Sequence, residues 1–191
     1  MGDVFLNEID KALEVLRNGG VILYPTDTIW GIGCDATNQE AIDRIYKIKE
    51  REDSKSMIIL VAEEKDILTH VAAPHPEVFD FIERQDRPTT IIFEHAIGLP
   101  ANLVAADGSI GIRMVKDEFC RHLIKRLRHP IVSTSANISG TASPANFRDI
   151  SPEIQKRVDH IVKWRQDENA PSQPSRIIKW NNNGEHVVLR G

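Results

Sequence analysis

Three stretches of this sequence concentrate side chains able to bind or activate a ligand. The first, Ser133-Thr134-Ser135-Ala136-Asn137-Ile138-Ser139-Gly140, directly follows the apolar run Pro130-Ile131-Val132. Hydroxyls and an amide at the end of a β-rich run sit where α/β sheets open their binding crevices. The same residue types also make turns by bonding to their own backbone. The second stretch is Tyr24-Pro25-Thr26-Asp27-Thr28-Ile29-Trp30-Gly31-Ile32-Gly33. Its glycines let a backbone approach a ligand closely. A carboxylate among hydroxyls suits an amino group or a polarised water, and Asp27 equally suits a turn. The spacing matches neither the dinucleotide fingerprint nor the P-loop. The third stretch holds Lys47, Lys49, Arg51 and Lys55, where a helix meets a loop. Arginine's planar fork and lysine's point charge both recognise phosphate. Cations there also answer the helix dipole. No Ser–His or Cys–His pairing points to a covalent intermediate.

The elements that carry these stretches follow from apolar periodicity. Leu6, Ile9, Leu13 and Leu16 fit a helix, stopped by Gly19-Gly20. Val21 to Tyr24 reads as a buried strand, and residues 25–33 as the loop after it. Thr37 and Glu40 make a capping box for a helix with Ala41, Ile42, Ile45, Tyr46 and Ile48 on its apolar face. Met57 to Val61 reads as a second buried strand. One or two short helices follow between Glu64 and Arg84, with Pro76 placed for a first turn. Thr89 to Phe93 and Ser109 to Val115 are further strands. Phe119, Leu123, Ile124 and Leu127 mark a helix, and Ile131 to Ser133 the strand after it. Ser151-Pro152-Glu153 starts another helix. Arg176 to Trp180 and Val187 to Arg190 pair as strands across the turn Asn181-Asn182-Asn183-Gly184. The pattern predicts an α/β fold, a twisted open sheet mixing parallel and antiparallel strands and flanked by helices, with residues 1–191 as one domain. Residues 165–174, rich in polar side chains and proline, read as a mobile loop.

With 191 residues, 41% hydrophobic and 27% charged, the composition is that of an ordinary globular protein. No apolar run approaches a membrane span, and the N-terminus lacks the pattern of a secretory signal. Cys34 and Cys120 form no close metal-binding pair, the His residues are scattered, and a reduced cytoplasmic setting is expected with no metal site. A net charge of -4 argues against a surface that is basic all over. Lys116, Arg121, Lys125, Arg126 and Arg128 nevertheless cluster in sequence, as a local basic patch or a solvated helix face.

Taken together and in order, Tyr24 to Gly31, Lys49-x-Arg51 and Ser133 to Gly140 resemble the YrdC-like threonylcarbamoyl-AMP synthase family, whose hallmark is Lys-x-Arg paired with a distant Ser-x-Asn. Pro174-Ser175 and the terminal Val188-Leu189-Arg190-Gly191 resemble family segments too, so the similarity covers nearly the whole chain. Three positions depart from the family pattern. Glu52 and Ser56 stand where proline is usual, and Arg176 where threonine normally follows Pro-Ser.

The resemblance implies a YrdC-like fold around a large, positively lined concave cavity. It implies condensation of L-threonine, bicarbonate (or CO2) and ATP, carrying Mg2+, into threonylcarbamoyl-AMP with release of pyrophosphate. A downstream threonylcarbamoyl-transferase complex would then modify tRNA next to the anticodon. Carried over by position, Lys49, Arg51, Ser135 and Asn137 are the catalytic set and hold ATP, together with Arg113 and Arg190. Thr26, Thr28, Thr90 and Ser175 would bind threonine. No prosthetic group is implied. Alternative readings are a double-stranded RNA or tRNA binder without synthase activity and a paralogue that hydrolyses threonylcarbamoyl-AMP.

Overall fold

In the computed structural model, which describes residues 2–50, 57–168 and 173–191, alternating apolar residues of the central strands divide the core between two faces of one sheet. The elements in chain order are α1 (Gly2–Arg17), β1 (Ile22–Tyr24), β2 (Gly31–Gly33), α2 (Gln39–Lys49), β3 (Ile58–Val61), α3 (Glu64–His70), α4 (Glu77–Glu83), β4 (Thr89–Phe93), β5 (Ile110–Met114), α5 (Glu118–Leu127), β6 (Ile131–Ser135), α6 (Pro152–Arg157), β7 (His160–Ile161), β8 (Arg176–Trp180) and β9 (His186–Arg190). The strands form one sheet in the order β7-β1-β2-β6-β3-β5-β4-β8-β9. The pairs β1/β7, β3/β5 and β4/β8 are parallel and the rest antiparallel, so the sheet is mixed as expected.

On one face, Ile22, Tyr24, Leu60 and Ile131 meet Ile9, Leu13 and Leu16 of α1 and Phe119, Leu123 and Leu127 of α5. On the other, Leu23, Ile59, Val61 and Val132 meet the apolar stripe of α2 and residues of α3, α4 and α6. The α1–α5 layer covers only part of its face: no residue of β4, β5 or β8 belongs to that cluster. Ile91, Ile112 and Ile178 of those strands turn to the α2 side. Strand alternation therefore leaves Thr90, Gly111, Arg113 and Ile177 on the uncovered part of the face.

Three local expectations are corrected. Residues 25–33 are not all loop, because Gly31–Gly33 forms β2 between β1 and β6. Three residues with two glycines carry no alternation to read. A side chain at Gly33 would bring its Cβ to 2.4 Å from the Val132 carbonyl oxygen, so the close strand approach requires glycine there. The second correction is at the start of α2. Asn38, not Thr37, caps the helix, accepting from the Ala41 N–H at 3.0 Å, while Thr37 donates its hydroxyl to Asp35. Third, β6 runs on to Ser135, two residues past the expected end at Ser133.

Glu8 ties α1 to the far edge of the sheet. Its buried carboxylate accepts from the Lys163 N–H at 2.7 Å and pairs with Lys11 at 3.1 Å and His160 at 3.2 Å. Burial raises the carboxyl pKa, but the Lys163 N–H, Lys11 and His160 together outweigh it and hold it below 4.5. A lowered folded-state value means that the charged form stabilises the fold above the unfolded value and that this contribution disappears as pH falls through the lowered one. Glu8→Gln is expected to cost about 1–3 kcal/mol at pH 7. In urea titrations the gap from wild type should narrow steadily below pH 4.5. A gap that stays constant down to pH 3 would count against this role.

Candidate active site

On the uncovered part of the sheet face, a cleft of about 230 Å3 opens among the described residues. It lies at the start of β3 and the end of β6, which run antiparallel and bring Ile58 opposite Ser133. Thr28 and Gly31 line it from the second polar stretch, Ser133, Thr134 and Ser135 from β6, and Ser175 from the segment entering β8. Arg113 and Arg190 supply its positive charge.

Arg113 follows from strand alternation on β5. Ile112 faces the core, so Arg113 faces the cleft, yet it is only 3% exposed. Its Nη2 lies 3.1 Å from Asp27 Oδ1 and donates to Thr26 Oγ1 at 3.5 Å. The Asp27 contact pairs charges without an aligned hydrogen bond, and Arg113 Nε is buried with no hydrogen bond among the described residues. An ionised donor buried without an acceptor is costly, and an anion in contact with it would remove that cost. Arg190 donates Nε and Nη2 to the Ser175 carbonyl at 2.9 and 2.8 Å. Burial first, then the like charges of Arg113 and Arg87, lower its pKa. Mutual repulsion of two arginines on one cleft is relieved by a shared anion.

The hydroxyls divide into two groups. Thr26 serves its own turn: its Oγ1 donates to the Ile29 carbonyl at 2.8 Å and accepts from the Thr28 N–H at 3.0 Å. That arrangement sets Thr28, whose Oγ1 lies 3.0 Å from that of Thr26, at the cleft wall. Across the cleft, Thr90 Oγ1 and Ser175 Oγ share a hydrogen bond of 2.8 Å and both residues are buried. Arg176, the departure beside Ser175, sends its guanidinium to Gln85 Oε1 at 3.0 Å, so Ser175 and Ile177 line the cleft without it.

The structure brings Lys49, Ser135 and Asn137 together, but through the backbone. Lys49, at the C-terminal end of α2, is 2% exposed. Its ammonium donates to the carbonyls of Ser135 and of Asn137, the latter at 2.7 Å. The Ser139 N–H donates back to the Lys49 carbonyl at 2.8 Å. Asn137 turns its amide onto its own loop, donating to the carbonyls of Ile138 at 3.0 Å and Thr141 at 2.7 Å. Lys49 thus holds the end of β6 and the loop after it, and Ser135 is the member of the three that lines the cleft. Arg51, Glu52 and Ser56 lie outside the described residues, as do residues 169–172 of the expected mobile loop. The remainder of that loop is anchored by Arg165, which donates to the Thr26 carbonyl at 3.3 Å and pairs with Asp117 at 2.8 Å. Ser143 also lines the cleft and lies in no motif; no sequence signal marks it. Among the described residues no three His, Cys, Asp or Glu side chains are grouped to hold a metal, and no helix is long and apolar enough to cross a membrane.

Comparison with known proteins places the chain in a family. The Sua5/YciO/YrdC family model, described as telomere recombination, matches residues 14–191. The threonylcarbamoyl-AMP synthase of Idiomarina loihiensis is 31% identical over 169 residues, covering 86% of this chain and 89% of its own. E. coli YciO superposes with a TM-score of 0.80 at 25% identity, over 95% of this chain and 87% of its own. P. abyssi Sua5, solved with L-threonine, superposes with a TM-score of 0.84 at 24% identity and shares the fold. This chain spans about half of that Sua5 chain, 53% of its length. The chain belongs to the Sua5/YciO/YrdC family.

Proposed function

We propose that this chain is an L-threonylcarbamoyladenylate synthase, a nucleotidyltransferase that condenses L-threonine, bicarbonate or CO2 and ATP into threonylcarbamoyl-AMP and pyrophosphate for tRNA modification. The observation that carries this reading is Arg113, a buried arginine whose Nε makes no hydrogen bond among the described residues, lining a cleft together with Arg190, Thr28, Ser135 and Ser175. Anion recognition and small-hydroxyl recognition converge there, on a chain 31% identical to a threonylcarbamoyl-AMP synthase.

In the proposed reaction the neutral amine of threonine attacks the carbon of CO2, forming the N–C bond of a carbamate and releasing a proton. From bicarbonate the same bond forms and water leaves in place of the proton. A carbamate oxygen then attacks the α-phosphorus of ATP, the bond to the bridging oxygen breaks, and pyrophosphate departs with its Mg2+. Mg2+ enters with ATP as part of the substrate. An anion attacking a polyanion needs its charge neutralised and its approach fixed. Preorganised cations and orientation do both, and orientation alone is worth about 7–11 kcal/mol. Arg113, Arg190 and Arg51 hold the anionic groups. Ser135, with Asn137 and Lys49 fixing its strand end, supports the nucleotide. Thr28 and the Thr90–Ser175 pair take threonine, whose methyl group meets the apolar wall of Ile29, Met57 and Ile177.

Incubation with ATP, bicarbonate and L-threonine is expected to release pyrophosphate only when threonine is present. L-Serine, lacking one methyl, should react roughly 10- to 200-fold less efficiently. Pyrophosphate release that ignores threonine would overturn the assignment.

A further inference from the structure

We propose that the cavity between α3 and the C-terminal end of α5 is a second ligand site, which takes a small phosphate-bearing anion. It measures about 450 Å3, roughly twice the cleft, and lies in the size range of small-molecule pockets. Cleft and cavity occupy opposite ends of the same two strands and share no residue. Ile58 at the start of β3 and Ser135 at the end of β6 line the cleft, while Glu63 beyond the end of β3 and Pro130 before the start of β6 line the cavity.

Charge on the cavity wall is unbalanced toward the positive. Lys65, Lys125 and Arg128 face two carboxylates, Glu63 and Asp66. Both lysines converge on Glu63, at 2.6 and 2.5 Å. Asp66 is engaged by the N–H groups of Ala62 and Glu63, each at 3.0 Å. His129 is held by Asp35 at 2.8 Å. Among the described residues, the Arg128 guanidinium has neither a hydrogen bond nor an ion pair, although its backbone is fixed as the left-handed cap of α5, with the N–H on the Ile124 carbonyl at 2.8 Å. A fork-shaped cation held at a cavity rim without an acceptor fits a phosphate oxygen pair.

His70 selects among anions. It lines the cavity, is 7% exposed, and its buried Nδ1 makes no aligned hydrogen bond among the described residues. Burial lowers its pKa, outweighing the backbone of Ile97, and favours the neutral ring. A neutral imidazole nitrogen is a donor in one tautomer and an acceptor in the other. Phosphate near its second ionisation carries both O–H and O−, so it satisfies either tautomer, whereas sulfate offers acceptors only.

The test is a titration of the intact chain with inorganic phosphate, AMP and sulfate, followed by the ring 15N resonances of His70. Phosphate is expected to shift them saturably and sulfate far less. Arg128→Asn, which keeps a residue tolerant of the left-handed cap, should weaken phosphate binding at least tenfold while leaving threonine-dependent pyrophosphate release unchanged. Tighter binding of AMP than of phosphate identifies a phosphomonoester as the ligand; the reverse order identifies free phosphate. His70 resonances unmoved by phosphate and AMP, an equal response to sulfate, or equal affinity in Arg128→Asn each overturn the site. A failure of the synthase assay leaves this titration unaffected, because the two sites share no residue.

Discussion

Replacing Lys49 with Met is expected to lower threonine-dependent pyrophosphate release at least tenfold and, in the same variant, to destabilise the fold by about 3 kcal/mol. The side chain is 2% exposed and its ammonium donates to the carbonyls of Ser135 and Asn137. Methionine keeps the length and removes the donors. Two carbonyls that lose charged donors out of reach of water cost roughly 1–3 kcal/mol each. In a domain of this size, 3 kcal/mol lowers the melting temperature by about 6–12 °C. The end of β6 is then free to move, and Ser135 leaves the cleft wall. Lys49→Arg should not rescue, because a planar guanidinium does not fit a slot shaped for a compact ammonium. Thermal melts and the pyrophosphate assay on one preparation separate two roles for this residue. A lysine that acts mainly on ATP phosphates would raise the KM for ATP and leave the melting temperature alone. One that anchors the strand end lowers both stability and kcat. Native-like melting together with native-like turnover would sink both roles.

Lys49 also shows where sequence reading reaches its limit. As a basic residue in the last turn of α2, it looks like a cation answering a helix dipole at the surface. Its burial is tertiary: the loop after β6 folds over the helix end, and the Ser139 N–H meets the Lys49 carbonyl. Nothing within residues 39–49 encodes that. The apolar helices and β1, β3, β4, β5 and β8 were legible because one face of each meets the core and leaves a period. Elements beside the cleft were less legible for the same physical reason. Thr134 and Ser135 are strand residues lining an open cleft, so polar side chains occupy positions where periodicity would need apolar ones. The strand at Gly31–Gly33 and the two-residue β7 are too short to show any period. Resemblance supplied what periodicity could not: it singled out Arg113, Arg190, Thr28, Ser135 and Ser175, which line one cleft, from five separate segments. It also selected Thr26, Lys49 and Asn137, whose hydrogen bonds hold the loops behind that cleft.

Arg113→Met should show the opposite signature: a loss of turnover of roughly 30-fold to several thousand-fold, corresponding to the 2–5 kcal/mol that truncating one partner of a buried charge pair typically costs, with little change in stability. In the free protein the arginine is poorly compensated. Its Nε has no hydrogen bond among the described residues, its contact with Asp27 is not an aligned hydrogen bond, and Arg190 shares its cleft. Removing it gives up one charge contact, leaves Asp27 without its cation, and relieves the desolvated Nε and the repulsion with Arg190. These terms oppose one another, so melting should move far less than in Lys49→Met. The substrate complex has no such cancellation, because the guanidinium is the buried donor that an anionic ligand would meet. Arg113→Lys should fail nearly as badly, since a point charge cannot reproduce the edge of the fork. If Arg113→Met loses stability in proportion to activity, the residue is a structural ion pair with Asp27. If both are unchanged, the anion lies elsewhere in the cleft. A residue kept in an unfavourable state by the free fold, and satisfied only when ligand arrives, contributes to binding what it withholds from stability.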